Sequence, residues 1–151
     1  MDAASMKSDL PPDLYDRCFA FASDVYDYSA ELVRLRGLPC RVAYQLFDAA
    51  GSIGANRTEA ESAYSDKEFA AKNSICLKES SEARFWLRLA DRKKLGDAAL
   101  RTRLLRESGE LVYIYARVVR KLKARLKAKD RQDISSAGPQ PSNATRPAKS
   151  T

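Results

Sequence analysis

The sequence predicts an all-α protein: an antiparallel up-down-up-down four-helix bundle with a long basic fourth helix and a disordered C-terminal tail. Three observations carry this. Apolar residues recur in alternating steps of four and three over four separate stretches. Short breaker segments divide those stretches, which suits antiparallel neighbours. No segment alternates with the period of two that a half-buried strand requires.

Residues 1–11 read as a flexible lead-in, 12–131 as the bundle and 132–151 as a disordered tail. The first helix starts near Pro12 and Asp13, since proline is tolerated in a first turn. Its stripe is Leu14, Cys18, Phe21, Val25, Tyr28, Leu32 and Leu35, and Gly37 and Pro39 stop it. The second helix runs from about Cys40 to Ala63 on Val42, Leu46, Ala49, Ile53, Asn56, Ala60 and Ala63. Ser65 and Glu68 form a capping box for the third, whose stripe is Phe69, Lys72, Cys76, Glu79, Ala83, Trp86 and Ala90. After a loop at Lys93, Lys94 and Gly96, Asp97 caps the fourth. That helix bears Leu100, Leu104, Glu107, Leu111, Ile114, Val118 and Leu122, and runs to about Asp130. It would then span about 50 Å, against about 40 Å for the third, so its basic end should project past the turn joining helices two and three. The tail holds three prolines and almost nothing bulky, too little apolar surface to offset the cost of ordering.

Gln45 to Glu61 is the stretch around which the rest is organised. Ala49, Ala50, Gly51, Ser52, Gly54 and Ala55 crowd small residues into one helix. Each glycine costs about 1 kcal/mol against alanine there. Close approach of a neighbouring helix is the expected compensation. Asn56 falls on the apolar stripe, a placement that fixes register more often than it performs chemistry.

At 151 residues the chain suits one soluble globular domain, and no apolar run approaches the roughly 20 residues of a membrane span. The first residues lack the apolar core of a secretory signal. Cys18, Cys40 and Cys76 are far apart and odd in number, which fits free thiols and a cytoplasmic location. Net charge is +7, and Arg117, Arg120, Lys121, Lys123, Arg125, Lys127, Lys129 and Arg131 face one acid, Asp130, so this segment carries the whole excess.

QLFDAAGSIGANRTEAE, followed by SDKEFAAKNSICLKESSEARFWLRLAD, resembles the small bacterial four helix bundle protein family, first found encoded in intervening sequences of large-subunit ribosomal RNA genes. The likeness runs from about Leu14 to Leu126. It rests on Gln45, Leu46, Ala49, Ala50, Ser52, Ile53, Ala55, Asn56 and Glu59, then on Phe69 through Lys78, Glu79, Glu82, Trp86, Leu87 and Leu89. Arg57–Thr58 departs from the more apolar pair of many members. The resemblance implies a ring, a homopentamer in characterised relatives. It also points to the basic accessory variability determinant of diversity-generating retroelements, which associates with a reverse transcriptase and nucleic acid. It carries over no activity. Gln45, Ala49, Gly51, Gly54, Asn56, Glu79, Glu82 and Trp86 are the candidate structural and oligomer residues. Tyr15, Tyr26, Tyr44, Tyr64 and Trp86 exceed what one four-helix core needs, which also suggests a closed homo-oligomer.

Antiparallel pairing would set Glu79 beside Glu110 and Glu82 beside Glu107. Four carboxylates at one level is the arrangement of di-iron bundles, but those need Glu-x-x-His and this chain has no histidine. Pairing with Arg84, Arg103, Arg106 or Lys78 is the stronger reading, and no metal or other cofactor is expected. Without histidine, a nucleophile–base pair or a glycine-rich phosphate loop, an enzyme is not expected either. The basic segment suits phosphate binding by counterion release, or is only a solvated helix end favoured by the helix dipole. Tyr113 and Tyr115 read as core or interface residues rather than stacking platforms. The function expected is a nucleic-acid-associated accessory or scaffold acting through Arg117, Arg120, Lys121, Lys123, Arg125, Lys127 and Lys129. The alternatives are a protein–protein adaptor without nucleic-acid binding, or a nuclease-like enzyme built on the four glutamates.

Overall fold

A computed structural model describes residues 6–7 and 10–136 of the chain. Four helices occupy nearly all of it: α1 Leu14–Arg34, α2 Leu38–Glu61, α3 Asp66–Arg92 and α4 Ala98–Ser136. Each packs mainly on its sequence neighbour, and α4 closes on α1 through a thinner seam. The result is the expected antiparallel bundle. Residues 1–5, 8–9 and 137–151 lie outside the described residues, so most of the expected tail does too. The described part of it, 132–136, continues α4 as helix.

The turns follow local chemistry. Arg36 and Gly37 take left-handed backbone angles (φ 56° and 65°), and Pro39 lies in the first turn of α2, which starts slightly earlier than expected. Ser65 Oγ accepts from the Glu68 amide at 3.1 Å, and the Glu68 carboxylate accepts from the Tyr64 amide at 2.9 Å. The capping box therefore forms one residue wider than its usual reciprocal pairing. At the α3–α4 turn, Asp97 Oδ1 accepts from the Leu100 amide at 2.6 Å. Here Gly96 (φ 60°) sits under Tyr28, whose hydroxyl donates to the Leu95 carbonyl at 2.8 Å. Arg101, 7% exposed, donates to Asp91 at 3.0 Å and to the Leu95 and Gly96 carbonyls. That turn is locked from three sides.

The core contains the α1 stripe from Leu14 to Leu32, while Leu35 is exposed. On the other helices most of the expected stripe is buried, including Val42, Leu46, Ile53, Phe69, Cys76, Ala83, Leu104, Leu111 and Leu122, but at several positions the next residue faces inward instead. Asn56 is half-buried and turns back to the Ser52 carbonyl at 2.9 Å, while Arg57 is the buried residue at 5% exposure. On α3, Asn73, Ser80 and Leu87 face inward, whereas Lys72, Glu79 and Trp86 lie at the margins. Buried Asn73, Ser80 and Ser108 each bond a carbonyl of their own helix at 2.7–2.8 Å, so they enter the core without an unmet donor. On α4, Tyr115 is fully buried, while Leu100, Glu107 and Ile114 are only half-buried.

The lead-in, expected to be flexible, contributes buried Met6 and Leu10 to the core, and Lys7 pairs with Glu61 at the end of α2. The reason is geometric. Because α1 starts at Leu14, with Cys18 meeting Tyr115 at 3.2 Å, the lower third of α4 has no α1 beside it.

Candidate nucleic-acid interface

The basic segment lies along the bundle rather than beyond it. Lys129 reaches Asp66, the first residue of α3, at 3.3 Å, and Lys67 lies 3.8 Å from Asp130. Leu122 is fully buried and Leu126 packs partly against the core. The expected overhang is thus confined to residues 131–136, roughly 9 Å of helix. Helix length alone does not set the register between α3 and α4, which here brings Lys129 level with Asp66.

The seven predicted cations divide by environment. Arg117, Arg120, Lys121, Lys123 and Lys127 are exposed, Arg125 is half-buried, and Lys129 is engaged with a carboxylate only 8% exposed. Arg117 lies over the ring of Tyr113, its guanidinium carbon 5.6 Å from the centroid. Tyr113 itself is 59% exposed and so is not a core residue, unlike Tyr115. The lead-in and α4 together frame an open groove of about 610 Å³, with Leu10, Pro11, Ile114 and Val118 on its apolar side and Arg120 and Lys121 on its charged side. The contribution of Leu10 and Pro11 had no signal in the periodicity, because neither belongs to a helix.

The carboxylates do not assemble. Glu107 turns to α1 and accepts two bonds from Arg17, at 2.9 and 3.0 Å, which raise the Arg17 pKa. Glu82 accepts from the Trp86 indole at 3.4 Å. Arg103 pairs with Asp24 at 3.2 Å, and Arg84 donates to the Leu105 carbonyl at 3.0 Å rather than to a glutamate. Among the described residues, no three histidines, cysteines, aspartates or glutamates are placed to hold a metal ion.

Burial raises the thiol pKa of Cys18 and pushes that of Cys76 up to about 12. Burial also raises the Tyr115 phenol, so these groups stay protonated and inert at neutral pH. Arg57 pairs with Glu61, while its Nε and Nη1 have no hydrogen-bond partner.

The small-residue stretch plays a different part from the one expected. A Cβ added at Gly51 or Gly54 would meet nothing within 4 Å, so no neighbouring helix of this chain exploits the missing side chains. They line instead, with Ala55 and Thr58, a shallow groove of about 270 Å³ bordered by Tyr15 and Phe19 of α1. Tyr15, Phe19, Tyr26, Tyr44 and Tyr64 are all 44% exposed or more, and Phe47 is 39% exposed against Tyr26. Of the surplus aromatics, Tyr15, Tyr26, Tyr44 and Tyr64 lie outside the core, while Trp86 packs partly against it. Of the remaining oligomer candidates, Ala49 is buried, Gln45 is exposed, and Glu79 and Trp86 are half-buried.

Comparison with curated proteins returns no match. Among solved structures, a protein of unknown function from the S23 ribosomal protein family of Bacteroides thetaiotaomicron is similar. The two are 27% identical, with a TM-score of 0.63, and the match covers 70% of this chain and 96% of that one. No helix among the described residues is long and apolar enough to cross a membrane. The family model described as 23S rRNA-intervening sequence protein matches residues 12–117, which take in all of α1–α3 and half of α4. The chain belongs to the 23S rRNA-intervening sequence protein family.

Proposed function

We propose that this chain is a non-enzymatic, self-associating accessory protein that binds the phosphate backbone of nucleic acid through α4. One observation carries the reading. Arg117, Arg120, Lys121, Lys123 and Lys127 stay exposed along one continuous helix, and between Arg117 and Arg131 only Asp130 opposes them. Neutralising phosphates with such a row releases counterions and binds without reading sequence. The family's name refers to 23S rRNA, and the sequence's resemblance to the accessory variability determinant of retroelements makes a reverse transcriptase the partner class to test first.

Self-association is the second half of the proposal. The exposed aromatics of α1 and α2 flank a groove that two glycines keep open, a shape suited to a second copy. A closed ring, with five protomers by family likeness, would repeat the basic row around one assembly. Phe19→Glu should reduce the mass seen by light scattering. A wild-type protein that is a single chain at micromolar concentration would end this half of the proposal.

The binding test compares wild type with an Arg117→Glu, Arg120→Glu, Lys123→Glu triple variant at two salt concentrations. These exposed positions are better than Arg125, which is half-buried, or Lys129, whose replacement would break its pair with Asp66. Each phosphate contact contributes about −0.9 to the slope of log affinity against log salt on duplex DNA, or about −0.7 on single strands. The variant should bind more weakly to every sequence, with a shallower slope and unchanged helix content. A protein–protein adaptor predicts no wild-type binding even at about 50 mM salt, and that result would replace the proposal.

A further inference from the structure

We infer that the groove between the lead-in and α4 takes the unpaired bases of a single-stranded polynucleotide, stacked on Tyr113, while the neighbouring cations hold its phosphates. This rests on the proposed nucleic-acid reading and specifies the form of its ligand.

A basic row alone would serve a duplex. Duplex binding engages phosphates and has no use for an exposed aromatic face beside an apolar wall. The groove offers both. Its wall is Leu10, Pro11, Ile114 and Val118, and its volume of about 610 Å³ lies in the range of small-molecule sites. Tyr113 stands at its edge, and its ring is presented to solvent rather than to the core. Arg117 lies against that ring and reaches the phenol oxygen at 3.4 Å, which steadies the pair. A second concavity of about 570 Å³, lined by Tyr113, Ala116, Arg117 and Arg120, lies on the same stretch of helix. The Tyr113–Arg117 pair therefore borders both grooves, and the face of the ring that Arg117 leaves uncovered is the one a base would stack on.

The charge pattern selects the occupant. Arg117, Arg120 and Lys121 all border these grooves, and none of the residues lining either is acidic. An acidic peptide would match the charge but would not need the ring. Stacking on an aromatic face combined with a cationic track is how sequence-tolerant single-strand binders work, since every base has a π-face.

The test measures anisotropy of labelled single-stranded RNA, single-stranded DNA and a duplex of equal length, at one salt concentration, with wild type, Tyr113→Ala and Tyr113→Phe. Wild type should bind the strands more tightly than the duplex, and the two strand arms identify which source is preferred. Tyr113→Ala should weaken strand binding about five- to a hundredfold, on the scale of one stacked base. Its salt slope should stay unchanged, because no charge is lost, and Tyr113→Phe should keep most of the affinity. Equal strand and duplex binding, or strand binding indifferent to Tyr113→Ala, would overturn this inference and leave phosphate binding standing. An altered oligomer mass for Tyr113→Ala would assign the ring to a contact between copies and would also overturn it. Absence of binding to any polynucleotide would end the nucleic-acid reading and this inference with it.

Discussion

Replacing Gly51 and Gly54 by alanine separates the stability of the protomer from its association. Both glycines lie well inside the 24-residue α2, and neither has a positive φ. An added Cβ meets nothing within 4 Å at either site, so no steric cost offsets the gain in helix propensity. That gain is about 1 kcal/mol per site, or about 2 kcal/mol for the double variant. For a chain of this size it corresponds to a rise of roughly 4–8 °C in Tm. Urea unfolding followed by circular dichroism would measure it, at a dilution where light scattering gives a single-chain mass, because association shifts apparent stability. The same methyl groups intrude on the groove beside Tyr15 and Phe19, so the double variant should associate more weakly than wild type at higher concentration. Stability and association should thus move in opposite directions. A less stable isolated protomer would refute the argument, since it would mean that α2 is tightly packed at these positions within one chain.

Three other outcomes follow from the geometry. Gly96→Ala should lower stability by about 1–3 kcal/mol in urea unfolding, because the position has φ 60° and the new Cβ would lie 2.9 Å from Tyr28 Cε2 and 3.0 Å from Leu32 Cδ2. In the native protein a thiol reagent at neutral pH should modify Cys40 first, since Cys18 and Cys76 are buried and held protonated; unfolding should release all three. Stability should also fall under alkaline conditions. The folded pKa of Cys76 is raised from 9.0 to about 12, so its contribution is complete below pH 9 and is lost as pH rises toward 12. Tyr28 adds a similar loss between 10 and about 12, and Cys76→Ala should make the decline in urea midpoint shallower.

The helices, their caps and their turns were legible because each rests on local chemistry: Ser65 and Asp97 at starts, Gly37 and Gly96 at stops. What periodicity could not resolve was which of two adjacent residues faces inward. Steps of three and four are both allowed on a helix, so Asn56 against Arg57, or Trp86 against Leu87, differ by about 100° of rotation. Size and polarity then misled, since the Asn73 amide and the Ser80 hydroxyl are buried while donating to carbonyls of their own helix. At the site, the row of cations was plain from composition. The exposure of Tyr113 follows from its place two residues from both buried Leu111 and buried Tyr115, which turns it to the outer face of α4. What the sequence did not show was the groove beside it, because Leu10 and Pro11 belong to no helix. Lys129 was misplaced for a similar reason: its partner Asp66 lies 63 residues away.

The thin seam between α1 and α4 has a consequence for how the chain reaches this structure. The three extensive helix contacts join sequence neighbours, while the α1–α4 closure and the docking of Met6 and Leu10 tie more distant segments together. Such a low contact order favours rapid folding, with loop-closure entropy met in small steps. The four helices can assemble hairpin by hairpin, leaving the α1–α4 closure and the burial of Met6 and Leu10 as the events that wait for everything else. The basic row would then acquire its apolar wall only when folding is nearly complete, so a nascent or partly folded chain would present the charges without the groove.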